Sequence, residues 1–122
     1  MNKDSNAICL CPLEGVIDTI SKKWALLVIN EIGNHKRIRY NELMHELKEI
    51  SPKTLAGTLK ELQKSGLIER QSFNEIPPRV EYSLSKDGAD LRRSIIPLLE
   101  WASSRKGSVV AHCSCTAMYP KR

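Results

Sequence analysis

The chain has 122 residues, 19 Lys and Arg against 14 Asp and Glu, a formal net charge of +5 at pH 7, and 41% hydrophobic residues. With domains of about 100–200 residues as the norm, this is room for one folded unit over residues 1–122, too apolar for a disordered tail. The positive excess favours polyanionic partners such as nucleic acid. The longest unbroken apolar run, Ala25 to Ile29, is far below the roughly 18 residues a membrane span needs, so no membrane partner is expected. The start Met1-Asn2-Lys3-Asp4-Ser5 lacks a secretory pattern, which predicts a cytoplasmic protein whose four cysteines are thiols.

Pro12 can open a first amphipathic helix with Leu13, Val16, Ile17 and Ile20 as its apolar stripe. Trp24 to Ile32 is too apolar for a surface helix; it is expected at the centre of the core, ended by Gly33-Asn34. The basic stretch His35 to Arg39 reads as an extended link, after which Asn41 can cap a helix carrying Leu43, Met44 and Leu47. Ser51 followed by Pro52 is a strong helix start, and Gly66 a stop, for a helix to about Ser65.

Beyond Gly66, the runs Leu67 to Phe73 and Val80 to Leu84 alternate and carry β-formers, predicting a hairpin. Its connection, Asn74 to Arg79, is stiffened by Pro77 and Pro78 into a projecting finger with Arg79 at the base. Ser85 caps a last long helix with Leu91, Ile95, Leu98 and Ala102 as its main stripe. Ile96 and Leu99 widen that stripe beyond what a small core needs, which points to a partner helix; Pro97 should bend the helix.

The order is mainly α with one small hairpin, a winged helix-turn-helix layout. A helix fits the major groove, about 12 Å wide, and a hairpin can reach the adjacent backbone. In the helix from Ser51, residues Leu55, Leu59 and Leu62 share one side, while Lys53, Gly57, Lys60 and Lys64 gather opposite. Ser51, Pro52, Lys53, Thr54 and Thr58 occupy its first two turns, where free N–H groups favour phosphate and side chains can reach base edges. Gly57 costs about 1 kcal/mol in a helix interior relative to Ala, which close approach of another surface would explain. Arg37, Arg39 and Arg79, with Lys36, complete a basic rim.

From Cys11 to Trp101 the chain resembles the HxlR family of MarR-like transcriptional regulators. The resemblance rests on Cys-Pro-Leu-Glu at 11–14, Lys22-Lys23-Trp24-Ala25-Leu26-Leu27 and Arg39-Tyr40-Asn41-Glu42-Leu43. It continues through Ile50-Ser51-Pro52-Lys53-Thr54-Leu55, Leu59-Lys60-Glu61-Leu62, Gly66-Leu67-Ile68 and Pro77-Pro78-Arg79-Val80-Glu81-Tyr82-Ser83-Leu84. Residues 1–10 and 103–122 are terminal extensions. The resemblance implies a homodimer, joined through its terminal helices, that binds double-stranded DNA at a pseudo-palindromic operator. Leu13, Ile17, Leu91, Ile95, Leu98, Leu99 and Ala102 are the interface candidates, with closure of the monomer core as the competing reading. A small molecule or oxidant is the corresponding effector class.

Cysteines stand as Cys-x-Cys pairs, Cys9 with Cys11 and Cys113 with Cys115. Some family members sense oxidants through a cysteine at the position of Cys11, where a helix dipole would favour thiolate, so Cys11 and Cys9 are redox candidates. If the termini meet, Cys9, Cys11, Cys113 and Cys115 could hold zinc tetrahedrally, with His112 as a substitute ligand. Inert thiols on the chain ends are the third reading. Otherwise no cofactor or resident metal is expected. His35 and His45 read as solvated surface histidines, and no converging catalytic set is visible, so the chain is not expected to be an enzyme. The rival function is a winged-helix protein-interaction module without DNA binding.

Overall fold

A computed structural model describes residues 7–105. A 3-10 turn over Cys11–Leu13 leads to α1 (Ile17–Ile20), α2 (Lys23–Asn34), α3 (Tyr40–Glu46) and α4 (Pro52–Lys64). The antiparallel pair β1 (Ile68–Phe73) and β2 (Arg79–Leu84) and the long α5 (Lys86–Ser104) follow. Mainly helical with one hairpin, this is the winged helix-turn-helix architecture expected.

The apolar segment from Trp24 forms the centre of the core. Ala25, Val28, Ile29 and Ile32 of α2 are buried against Ile38, Leu43, Leu47, Ile50, Leu67, Ile68 and the α4 residues Leu55, Leu59 and Leu62. α2 packs against α1, α3, α4, β2 and α5, so every other helix is oriented from it. The hairpin is tied in by a pair of backbone bonds outside its own ladder. Ile38 N–H donates to the Tyr82 carbonyl at 3.0 Å, and Tyr82 N–H donates to that of Ile38 at 2.8 Å.

Two helix starts follow their expected chemistry. Ser51 Oγ accepts the Thr54 N–H at 3.1 Å, with Pro52 in the first turn, and Ser85 Oγ accepts the Gly88 N–H at 3.0 Å. Ser85 also donates to the Gly66 carbonyl at 2.6 Å, closing the base of the wing. Gly66, at φ +78, adopts the left-handed backbone that ends α4.

Other expectations are corrected. The first helix is not continuous from Pro12: Gly15 takes φ +95 and interrupts it, leaving a 3-10 turn and the single-turn α1. Gly33-Asn34 does not end α2, which includes both residues and stops at His35. A Cβ on Gly33 would lie 2.2 Å from Cδ of Arg92, so this glycine makes room for the Arg92 side chain of α5. Arg39, not Asn41, is the N-cap of α3, because the Glu42 carboxylate accepts the Arg39 N–H at 2.8 Å. Cys9 and Cys11, expected as thiols, are joined as a disulfide, their Cα atoms 5.4 Å apart. Cys11 also opens only a three-residue turn, which lacks the macrodipole invoked for it. α5 runs to Ser104 with Pro97, the position of the expected bend, inside it. The zinc candidates Cys113 and Cys115, with His112, lie outside the described residues.

Candidate nucleic-acid interface

α4 divides its residues by face as the 100° periodicity requires. Leu55, Leu59 and Leu62 are buried, while Ser51, Pro52, Lys53, Thr54, Gly57, Lys60 and Lys64 are exposed and Thr58 is half-buried. Gly57 has no atom within 4 Å of where its Cβ would stand, so no internal contact requires a glycine there. The start of the helix is held firmly. Tyr40 Oη donates to the Pro52 carbonyl at 3.0 Å, tying α3 to α4, and Ser51 Oγ donates to Thr54 Oγ1 at 2.9 Å. The first turn of α4 is therefore rigid before it meets a ligand.

Charge around this face is graded by its pairing. Lys22 reaches Glu61 Oε1 at 2.9 Å, and this hydrogen bond, with the Lys22 charge, holds the Glu61 carboxyl below its ordinary pKa. That carboxylate is occupied by Lys22 and by Thr19, whose hydroxyl donates to it at 3.3 Å. Lys53 and Lys60 are exposed and appear in no ion pair among the described residues. Beside α4, the link before α3 exposes Lys36, Arg37 and Arg39, with Arg37 Nη1 4.0 Å from Glu81 Oε1.

Arg79 stands at the base of the projecting loop, paired with Phe73 at the distal end of the wing, as its position in the sequence implied, but in a more crowded setting. Its guanidinium carbon sits 3.9 Å from the Phe73 ring centroid, with Nη2 3.1 Å from Glu75 Oε2 and Nε 3.7 Å from Glu81 Oε2. Stacking and pairing of this kind fix the geometry of the wing and diminish its net positive field. A cation that the sequence reading passed over is Arg70, exposed on β1 and donating to Ser72 Oγ at 3.1 Å. The polar run Glu69-Arg70-Gln71-Ser72 offers no apolar contrast from which its direction could be read.

The interface candidates separate into two groups. Leu91 packs on the core, and Leu13, Ile95 and Ala102 are half-buried. Ile17, Leu98 and Leu99 are exposed at 42%, 53% and 36%, joined by Ile96 and Trp101 at 40% and 58%. Ile96 and Leu99, the surplus expected from the last-helix stripe, are thus exposed beside Leu98 and Trp101 on α5, and Ile17 is exposed on α1.

Comparison with known proteins agrees with this architecture. The model of the HxlR-like helix-turn-helix family matches residues 19–109, a stretch that begins beyond Cys9 and Cys11. The HTH-type transcriptional regulator sll1512 of Synechocystis sp. is 35% identical over 105 residues, 86% of this chain and 77% of that protein. A MarR-family transcriptional regulator from Porphyromonas gingivalis W83 superposes with a TM-score of 0.73 at 34% identity, covering 82% of this chain and 97% of the other. The redox regulator HypR in its oxidized form gives a TM-score of 0.71 at 30% identity, covering 79% and 98%.

Proposed function

The chain belongs to the HxlR-like helix-turn-helix family and is a DNA-binding transcriptional regulator; on that premise we propose that it works as a homodimer on a pseudo-palindromic operator. The observation that carries this reading is α4, with three buried leucines behind and an exposed polar, cationic face in front. In this reading Ser51, Pro52, Lys53 and Thr54 meet base edges and phosphates at the groove, Gly57 and Thr58 lie close to the DNA wall, and Lys60 meets phosphate. Arg37 and Arg39 contact the flanking backbone. Arg79 shapes the wing and contributes less charge, because Glu75 and Glu81 face it. The protein is then a non-enzymatic regulator acting in the cytoplasm.

Substitution of single cations tests this reading. Lys60→Ala should weaken binding to every duplex alike and lower the slope of log K against log salt by about 0.9, the loss of one phosphate contact. Lys53→Ala with Thr54→Ala should abolish discrimination between operator and random duplex while circular dichroism stays unchanged. Both variants retaining wild-type affinity and salt slope would favour the protein-interaction module instead.

A separate observation favours a thiol-responsive form of the same regulator. Cys9 and Cys11 are bridged immediately before Leu13 and Ile17, two of the interface candidates, and HypR is a structural neighbour. Reduction adds two electrons and two protons, opening the bridge to two thiols; an electrophilic oxidant such as diamide restores it. Operator affinity should differ between dithiothreitol-reduced and diamide-oxidised protein, and Cys9→Ser or Cys11→Ser should remove the difference. Equal affinity of the two wild-type forms rejects this mode of control.

A further inference from the structure

The wedge between α2 and α3 holds a group of side chains that DNA binding does not use. Glu31, on the inner side of α2, is only 1% exposed. Its Oε1 accepts a hydrogen bond from Asn34 Nδ2 at 3.4 Å, whereas its Oε2 accepts none. One turn further on, His35 Nε2 lies 3.7 Å from that same Oε2. Glu46, in the last turn of α3, approaches from the other side, and one ligand atom from each of the three residues falls within 4.8 Å of the others. A cleft of about 310 Å³, walled by His35 and Glu46 together with Asn41, Glu42 and His45, connects the cluster to solvent.

We infer that Glu31, His35 and Glu46 form a site for a divalent first-row transition-metal cation that cross-ties α2 to α3. A buried carboxyl oxygen set against a second carboxyl, with no N–H donor reaching it, is stabilised directly by a coordinated cation that both acids share. Metal bonds to imidazole nitrogen and carboxylate oxygen are about 2.0–2.2 Å, so two ligands of one ion stand at most about 4.4 Å apart. The observed spread needs a contraction of a few tenths of an ångström, within the reach of side-chain rotation at exposed His35 and half-buried Glu46. One imidazole with two carboxylates suits Zn²⁺, Fe²⁺ or Mn²⁺ better than Mg²⁺ or Ca²⁺, which prefer oxygen throughout. His35 also follows the last residue of α2, where the carbonyl end of the helix favours a cation. Water entering from the cleft completes the coordination. Since α3 leads into α4 through residues 47–51, an ion here braces the platform on which the recognition helix stands.

The test uses the full chain with Cys9, Cys11, Cys113 and Cys115 changed to serine, which removes thiolate binding. Titration calorimetry with Zn²⁺ and with Mn²⁺ should give one ion per chain, and the Co²⁺ form should show visible ligand-field bands without thiolate charge transfer. His35→Gln and Glu31→Gln should each weaken binding at least about tenfold, the lower limit seen even for partners outside the coordination sphere. His45→Gln should leave it nearly unchanged. His35 is exposed, so its variant reports on the site even if Glu31→Gln perturbs folding. Absence of saturable binding, or binding that persists unchanged in His35→Gln, overturns the inference.

Discussion

Leu98→Asp is expected to convert the proposed dimer to a folded monomer and to lower operator affinity on the order of 10²–10⁴-fold, the contribution of linking two half-site readers. Leu98 is 53% exposed, so a charge there costs the isolated subunit little. In a dimer built on α5 the same charge is desolvated beside the exposed Leu99 and Trp101, without a partner to neutralise it. Each α4 would still fit its groove, but two separate chains must then be held where one dimer sufficed. Light scattering measures the first effect, binding to full and half operators the second. A variant that remains dimeric would move the interface elsewhere, and a wild-type monomer would remove it altogether.

Ile29→Ala should destabilise the protein by about 2–5 kcal/mol, a large share of the roughly 5–15 kcal/mol that domains of this kind possess. Ile29 has no exposed surface and sits midway along α2, the helix against which α1, α3, α4, α5 and β2 all pack. A cavity at that point cannot be filled by moving one neighbour, because every neighbour is also held by another part of α2. In the Leu98→Asp background, where no dimer covers it, Ile17→Ala removes the same atoms from a side chain 42% exposed and should cost the subunit much less. Denaturant midpoints at fixed protein concentration compare the two, since the proposed dimer would couple stability to concentration. Equal losses at Ile29 and Ile17 would contradict the central position of α2.

These two expectations differ in how early they could be reached. The buried role of Ile29 follows from the unbroken apolar character of residues 25–29, and the outward face of α4 from the spacing of Leu55, Leu59 and Leu62. Ser51 and Ser85 announced their helices because a hydroxyl at the N-cap satisfies an N–H only two or three residues away. The excess apolar stripe of α5 was visible too, although its division into core-facing Leu91 and exposed Leu98 was not. That division depends on where the rest of the molecule ends.

Gly33 is the clearest case in which local rules mislead. Gly-Asn is a common helix stop, yet α2 continues through it, and the glycine makes room for Arg92 from 59 residues further along the chain. Gly88 shows the same thing within α5, where a Cβ would lie 1.9 Å from the Leu67 carbonyl oxygen. Arg79 was legible as a cation at the base of the projecting loop, but its pairing with Glu75 and Glu81 required the register that puts Phe73 opposite it. Glu31 was not legible as a buried acid, because a carboxylate on an apolar helix is ordinarily solvated. Burial pushes its carboxyl above the usual range, with Glu46 from α3 adding to the effect.

Interactions spanning a few residues are therefore written in the chain: which segments become helices or strands, where most are capped, which stripe faces inward, and that one helix carries a cationic outer face. Their range is one or two helical turns, so neighbouring side chains suffice to specify them. Contacts between residues dozens of positions apart belong to the assembled fold. The fit of Gly33 against Arg92 and the meeting of Glu46 with Glu31 and His35 arise from how α2 is surrounded, whereas the partial neutralisation of Arg79 comes from the register of the hairpin itself, since burial and electrostatic pairing depend on distance in space.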